Sequence, residues 1–379
     1  MKKILFILPS LTVGGLEKVQ VTLANKLVQN DYDVTIMTLS PEDDLKDELD
    51  ERVHVKYRPP KSHLGNSLPY IRRKLYDDGM WERRASAKQL YTYYVGDEAF
   101  DVEIAFFRGT PVKIVSGSTN TRAVHLAWVH NDYKQAFGFK NSFKSMRQVY
   151  DAYQNMDRVV CVSVQAQKSF KEVIGDTGNV TTIYNMLPVK AIRLKSEEAP
   201  SVKVKKARFH IVLVGRLVDT AKGQKRLLFV VNRLKNEGKE ISLCFVGGGQ
   251  DERELREIVR KNKMENIVTI TGSQLNPYPY IKEADLLVCA SFFEGYNLTV
   301  AEALILGVPV LSTDCTGPGE ILDHGKYGMI VENSEEGLYN GLRQLMDNPE
   351  QLREYQEKVF QRQDFFDEDS ILKQVTDLF

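Results

Sequence analysis

Cysteine is scarce and scattered. The four thiols of this 379-residue chain, Cys161, Cys244, Cys289 and Cys315, show no Cys-x-x-Cys spacing and no neighbouring His, which argues against a zinc ribbon or a dithiol redox centre. Cys161, Cys244 and Cys289 fall inside apolar runs, where a free Cys behaves as a small hydrophobe, so reduced core thiols of a cytoplasmic protein are expected. Net charge is also missing: 51 Lys and Arg balance 51 Asp and Glu, and the overall field gives no reason to expect nucleic acid as a partner. No apolar stretch approaches the roughly twenty residues of a spanning helix. The opening Met1-Lys-Lys-Ile-Leu-Phe-Ile-Leu-Pro9 has too short an apolar run for a leader, is closed by Pro9, and lacks a small-residue cleavage site. It reads as a buried first strand. There is no His-Glu-x-x-His, no sign of a nucleophilic triad, no internal repeat and no low-complexity tract.

What is present is a chain too long for one ordinary core, with 42% hydrophobic and 27% charged residues, suited to two globular domains. Apolar runs at Ile4–Leu8, Val34–Leu39, Val53–Val55, Val102–Phe106, Leu126–Val129 and Val159–Val162 predict strands. Several lack the polar alternation of a half-exposed sheet, as parallel strands buried on both faces do. Leu16–Leu27 predicts the first crossover helix. A second series follows at Ile211–Val214, Leu243–Val246, Val268–Thr271, Leu286–Cys289, Val310–Ser312 and Met329–Val331. Strands alternating with helices twice over predict an α/β protein with two doubly wound, Rossmann-like domains. The polar stretch 189–206, bearing Pro200 and many Lys and Glu, predicts a linker between domains at 1–188 and 207–364.

Two carboxylates carry the chemistry. Glu294 follows the strand Leu286–Cys289 in a loop with Gly295, and Glu302 lies seven intervening residues later on a helix for which Asn297 is the candidate N-cap. The free N–H groups of that helix start suit a phosphate, while the acids can hold hydroxyls of a sugar and a ribose on either side of it. A pair of solvated surface acids is the ordinary alternative. A second element weighs against that alternative: Gly215 ends the strand Ile211–Val214, and Arg216 and Lys222 follow in the loop where an open α/β sheet binds ligand. Arg chelates phosphate oxygens in pairs and Lys acts as a point charge.

With these motifs in view, the chain resembles a retaining glycosyltransferase of GT-B fold, family 4, of the kind that builds bacterial polysaccharides and glycoconjugates. The likeness runs nearly end to end. It rests on Gly215-Arg-Leu…Lys222-Gly, on Glu294-x7-Glu302, on Pro9-Ser-Leu-Thr-Val-Gly14-Gly15-Leu-Glu17, on Trp128-Val-His130-Asn-Asp-Tyr133, and on Thr271-Gly-Ser273 with the residues after it. Two departures stand out: Val-Asp-Thr-Ala precedes Lys222 in place of a segment with Pro-Glu, and Tyr296-Asn-Leu-Thr299 follows Gly295 in place of Phe and small residues.

The resemblance implies two domains facing a cleft, with 365–379 crossing back onto the first. It implies transfer of a hexosyl unit from a nucleotide sugar (a UDP-sugar first, a GDP-sugar second) to a glycan or lipid-linked acceptor hydroxyl, with retention and without metal or other cofactor. Glu294, His130, Arg216 and Lys222 would be catalytic. The donor would be bound by Gly14, Gly15, Gly215, Arg216, Lys222, Ser273, Glu294, Gly295, Tyr296, Asn297, Leu298, Thr299 and Glu302. Alternatives on the same fold are a phosphorylase, a nucleotide-sugar epimerase, or a non-catalytic sugar-nucleotide-binding subunit. Last, cations Lys56, Arg58, Lys61, Arg72, Arg73, Lys74, Arg83, Arg84 and Lys88 crowd one stretch with aromatics among them. That stretch reads either as a surface for the inner, anionic face of a membrane or as a solvated helical insertion. The oligomeric state is not legible from the sequence.

Overall fold

The computed structural model describes residues 1–59, 80–136 and 138–379. The chain divides into two compact units, Met1–Met186 with Asp369–Phe379, and Leu187–Glu368.

The first unit is built on β1 (Lys3–Leu8), β2 (Asp33–Thr38), β3 (His54–Tyr57), β4 (Val102–Ala105), β5 (Val124–Val129), β6 (Arg158–Cys161) and β7 (Val180–Thr182). Their order is β3-β2-β1-β4-β5-β6-β7, with every pairing parallel. β1 is buried at all but its first residue, and β4 along its whole length, as a sheet covered on both faces requires. Helix Gly15–Gln29 supplies the first crossover and buries Val19, Leu23, Leu27 and Val28. β7 was not expected; it is three residues long, with two Thr and no fully buried position, so it carries little apolar signal. The chain's end belongs to this unit: Phe379 meets the Tyr32 ring edge-on at 5.6 Å, and Asp369 pairs with Lys26 at 2.9 Å.

The second unit repeats the plan with β8 (Phe209–Val214), β9 (Ile241–Val246), β10 (Val268–Ile270), β11 (Leu286–Cys289), β12 (Val310–Thr313) and β13 (Met329–Val331). Their order is β10-β9-β8-β11-β12-β13, again all parallel. In both sheets the order reverses beside the first strand, leaving a topological switch point, where open α/β sheets bind ligands at the carboxyl ends of the strands. The stretch expected as a linker holds helix Val189–Lys195 and forms part of this second unit.

Four members of the basic stretch, Lys61, Arg72, Arg73 and Lys74, lie outside the described residues, as do its apolar residues 64–76. Among the rest, Lys56 is paired with Glu98 at 2.6 Å, Arg58 lies 5.4 Å from the Tyr93 ring centre, and Trp81 packs against Tyr93 and Tyr94. Among the described residues no helix is long and apolar enough to cross a membrane.

Candidate active site

The second unit assembles its site at the β8/β11 switch point. β8 ends at Val214, and Gly215 turns the chain; a Cβ there would lie 3.7 Å from Lys222 Cε, so the lysine stem runs over the glycine. The short helix Asp219–Lys222 ends at Gly223, which has φ 65° and ψ 34° and also precedes helix Gln224–Asn236. Only glycine fits. A Cβ at this position would fall 2.2 Å from the Ala290 carbonyl oxygen, and the left-handed backbone is itself costly for other residues.

That close approach stitches two loops together. Phe292 N–H donates to the Ala221 carbonyl at 2.8 Å, and Arg226 donates from Nε to the Ala290 carbonyl at 2.9 Å. The Arg226 guanidinium also stacks 3.9 Å from the Phe292 ring centre. Thr313 holds the same loop by donating to the Ser291 carbonyl at 2.6 Å, and Asn333 Nδ2 donates to the Phe292 carbonyl at 3.0 Å. Thus fixed, Lys222 Nζ reaches Glu294 Oε1 at 2.6 Å, and Ser291 Oγ donates to the same oxygen at 2.5 Å. Burial works against the Lys222 charge, but the attraction and hydrogen bond of Glu294 outweigh it and hold the ammonium pKa above its usual value. The pair is partly open to solvent, with 28% of the Lys222 and 11% of the Glu294 side chain exposed.

Arg216 stands apart from this pair. Its side chain is exposed and hydrogen-bonds to nothing among the described residues, while its carbonyl accepts from Gln224 Nε2 at 2.9 Å. The loop carrying it is backed by Gly247, Gly248 and Gly249. A Cβ on Gly247 would sit 2.1 Å from the Gly215 carbonyl and one on Gly249 2.3 Å from that of Leu217. This glycine run therefore supports the Arg216 loop. Ser273 is exposed and packs onto it, its Oγ 2.6 Å from where a Gly248 Cβ would be.

Asn297 caps helix Leu298–Ile305: Oδ1 accepts from Val300 N–H at 3.2 Å and from Thr299 Oγ1 at 2.8 Å. Its φ of 71° is one that Asn tolerates better than most residues. The N–H groups of Leu298 and Thr299 precede the first intrahelical partner and remain available to an anion. Gly295 leads into this turn, and Tyr296 is buried behind it, its carbonyl pressed against Gly317. Glu302 is buried on the same helix, 3.5 Å from Tyr278 Oη.

The remaining candidates belong to the first unit. Gly14 precedes helix Gly15–Gln29 with extended backbone, and a Cβ on it would meet Glu17 Oε2 at 2.2 Å. The Glu17 carboxylate therefore already occupies the positive end of that helix, and an anion at Gly15 would have to displace it. His130 lies just past β5, buried, with its ring 4.6 Å from Phe106 and 5.9 Å from Phe107. Neither ring nitrogen is hydrogen-bonded among the described residues. Burial pushes its pKa down to about 4, a shift only partly offset by the nearby Phe106 backbone, so the imidazole is neutral near pH 7. Arg226, Thr313 and Asn333 were not singled out from sequence. Of these only Arg226 left a signal there, as a cation on the buried face of a helix.

Two family models match the chain. One, described as Glycosyltransferase Family 4, covers residues 13–190; the other, described as Glycosyl transferases group 1, covers residues 208–348. An uncharacterized glycosyltransferase of Haemophilus influenzae is 25% identical over 354 residues, 92% of each chain. The Campylobacter jejuni N-acetylgalactosamine-N,N'-diacetylbacillosaminyl-diphospho-undecaprenol 4-alpha-N-acetylgalactosaminyltransferase is 28% identical over 193 residues, 50% of this chain and 51% of that protein. Among solved structures, Anabaena HepE in complex with UDP-glucose aligns at a TM-score of 0.75 and 18% identity, over 100% of this chain and 99% of that one. The lipopolysaccharide-biosynthesis glycosyltransferase WaaG aligns at 0.67 and 17%, over 99% of each. Fold and family models together define the class: this is a glycosyltransferase of GT-B architecture with two Rossmann-like domains.

Proposed function

We propose that this protein transfers a hexosyl unit from a nucleotide sugar, a UDP-sugar in the first instance, to an acceptor hydroxyl with retention at the anomeric carbon. The observation that carries the reading is the Lys222–Glu294 pair at the β8/β11 switch point, flanked by the exposed Arg216 and the start of helix Leu298–Ile305. Arg216 and Lys222 neutralise the diphosphate as its bond to the anomeric carbon breaks, and the Leu298 and Thr299 N–H groups add to that. Fixed positive charge placed where negative charge develops is usually a large catalytic contribution. Glu302 accepts from the ribose hydroxyls and Glu294 from the sugar. The acceptor oxygen bonds to the anomeric carbon on the face the phosphate leaves, its proton passes to a phosphate oxygen, and the nucleoside diphosphate departs. The reaction so written needs no metal. His130, buried and neutral, serves as a hydrogen-bond partner of a substrate hydroxyl.

The HepE complexes with UDP and UDP-glucose support the choice of a uridine donor. The names of relatives, including a diphospho-undecaprenol-dependent transferase and the poly(glycerol-phosphate) alpha-glucosyltransferase of Bacillus subtilis, support a glycan or lipid-linked acceptor. A thermal-shift panel of UDP-, GDP- and ADP-sugars tests the donor, because a ligand bound only by the folded state stabilises it by mass action. Proton NMR of the product formed from an α-linked donor then decides stereochemistry: an α product supports retention, a β product contradicts it.

A further inference from the structure

The first unit holds a second concave site, built from residues that the donor chemistry does not use. A cavity of about 430 Å³ is rimmed by Arg83, Arg84 and Lys144, with Ser86, Gln148 and Asp151 among its other walls. Its size is within the range of small-molecule pockets, and its charge is one-sided. The three cations are exposed, and none of their side chains pairs with a described residue. Neighbouring cations do pair: Lys56 with Glu98, Lys134 with Glu172, and Arg147 with Asp151 at 2.9 Å. That last pair already engages Asp151, the one carboxylate on the rim among the described residues.

The rim is held in place from beneath. Lys113 is buried, and its ammonium donates to the carbonyls of Glu82 at 2.6 Å, Arg83 at 3.2 Å and Ser142 at 2.9 Å. One ammonium thus ties the segment bearing Arg83 and Arg84 to the loop before Lys144, with all three of its protons used. Burial, and then the charge of Lys144, push the Lys113 pKa down to about 8, as a positive local field should. Helix Ala87–Tyr94 also begins at this wall, where Ser86 and Gln89 form a capping box.

We propose that this cavity binds a phosphate group, as a phosphomonoester or a diphosphate, through Arg83, Arg84 and Lys144. Arg suits the paired oxygens of such a group and Lys its charge, and fixed backbone anchoring reduces the cost of ordering them on binding. The inference stands apart from the transfer reaction proposed above and does not depend on it.

The test is calorimetric titration of inorganic pyrophosphate into the full-length Arg216→Ala/Lys222→Ala protein, which removes the donor-site cations. Wild-type protein saturated with UDP is a second format that does not rely on that variant. Binding is expected in both, and adding Arg84→Ala/Lys144→Ala should weaken it at least tenfold with an unchanged thermal midpoint. Pyrophosphate affinity that is absent, or indifferent to Arg84 and Lys144, overturns the proposal. Vesicles of phosphatidic acid against vesicles of phosphatidylcholine separate the sources of the group. Selective, Arg84-dependent vesicle binding alongside pyrophosphate binding assigns a lipid headgroup, and pyrophosphate binding alone assigns a water-borne phosphate. Vesicle binding without pyrophosphate binding contradicts a phosphate pocket.

Discussion

Lys222 and Glu294, 72 residues apart in sequence, form a 2.6 Å ion pair at the point where the strand order of the second sheet reverses. Each neutralises the other, and in the proposed reaction a diphosphate competes for the ammonium. Removing Lys222 therefore leaves a largely buried carboxylate uncompensated and, in that reaction, would leave the departing diphosphate without its counter-charge.

Arg216→Ala and Lys222→Ala are each expected to slow transfer on the order of a hundredfold or more, from the roughly 2.7–4 kcal/mol that one transition-state donor contributes. Steady-state release of nucleoside diphosphate measures it. Near-normal turnover in both variants, with intact folding, removes these cations from the mechanism.

The two acids should separate by what they change. Glu302→Gln weakens nucleotide binding, because its charge-assisted contacts to ribose hydroxyls are lost. Glu294→Gln lowers turnover while nucleotide affinity is kept or rises, since Lys222 no longer has to leave a carboxylate. Equilibrium binding of UDP to each variant decides, and the reverse pattern exchanges the two roles.

Gly223→Ala should destabilise the second unit. A left-handed backbone costs a non-glycine residue about 1–3 kcal/mol, and the 2.2 Å approach to the Ala290 carbonyl adds a steric clash. Denaturant unfolding should show a lowered midpoint, and donor binding should fall with it because Lys222 immediately precedes Gly223. A wild-type midpoint contradicts the close packing described.

His130 gives a pH signature. Its folded pKa of about 4 lies below the usual 6.5, so between those values the unfolded chain takes up a proton the folded chain refuses. The stability contributed by neutral burial is complete above pH 6.5 and is lost as pH falls toward 4. His210 is shifted the same way, by burial in the second unit, so the measurement is a difference. From pH 7 to pH 5 the wild type should lose about 2 kcal/mol more than His130→Gln. Equal losses mean that His130 is not buried neutral.

Much of the fold was legible because strands of a parallel sheet are buried on both faces and form unbroken apolar runs. β1 and β9 reveal themselves in this way. β7 does not, since a short strand with two Thr carries no such run. Within the site, Asn297 could be read as a cap from the residues after it. The Lys222–Glu294 contact could not, because it depends on loops brought together at the ends of β8 and β11. Nor could the clamp of Arg226 on the Ala290 carbonyl. The basic stretch divides once its described part is seen in space: Lys56 and Arg58 are engaged within the first unit, while Arg83 and Arg84 rim a cavity. Charge counting along a chain cannot separate those fates.

Calorimetric titration of UDP into wild type and into Arg216→Ala/Lys222→Ala tests most directly whether the second unit is a nucleotide-sugar site. Saturable one-to-one binding to the wild type, weakened at least a hundredfold in the folded double variant, is the expected result. UDP, GDP and ADP all failing to bind the wild type, or binding the double variant equally well, would contradict it.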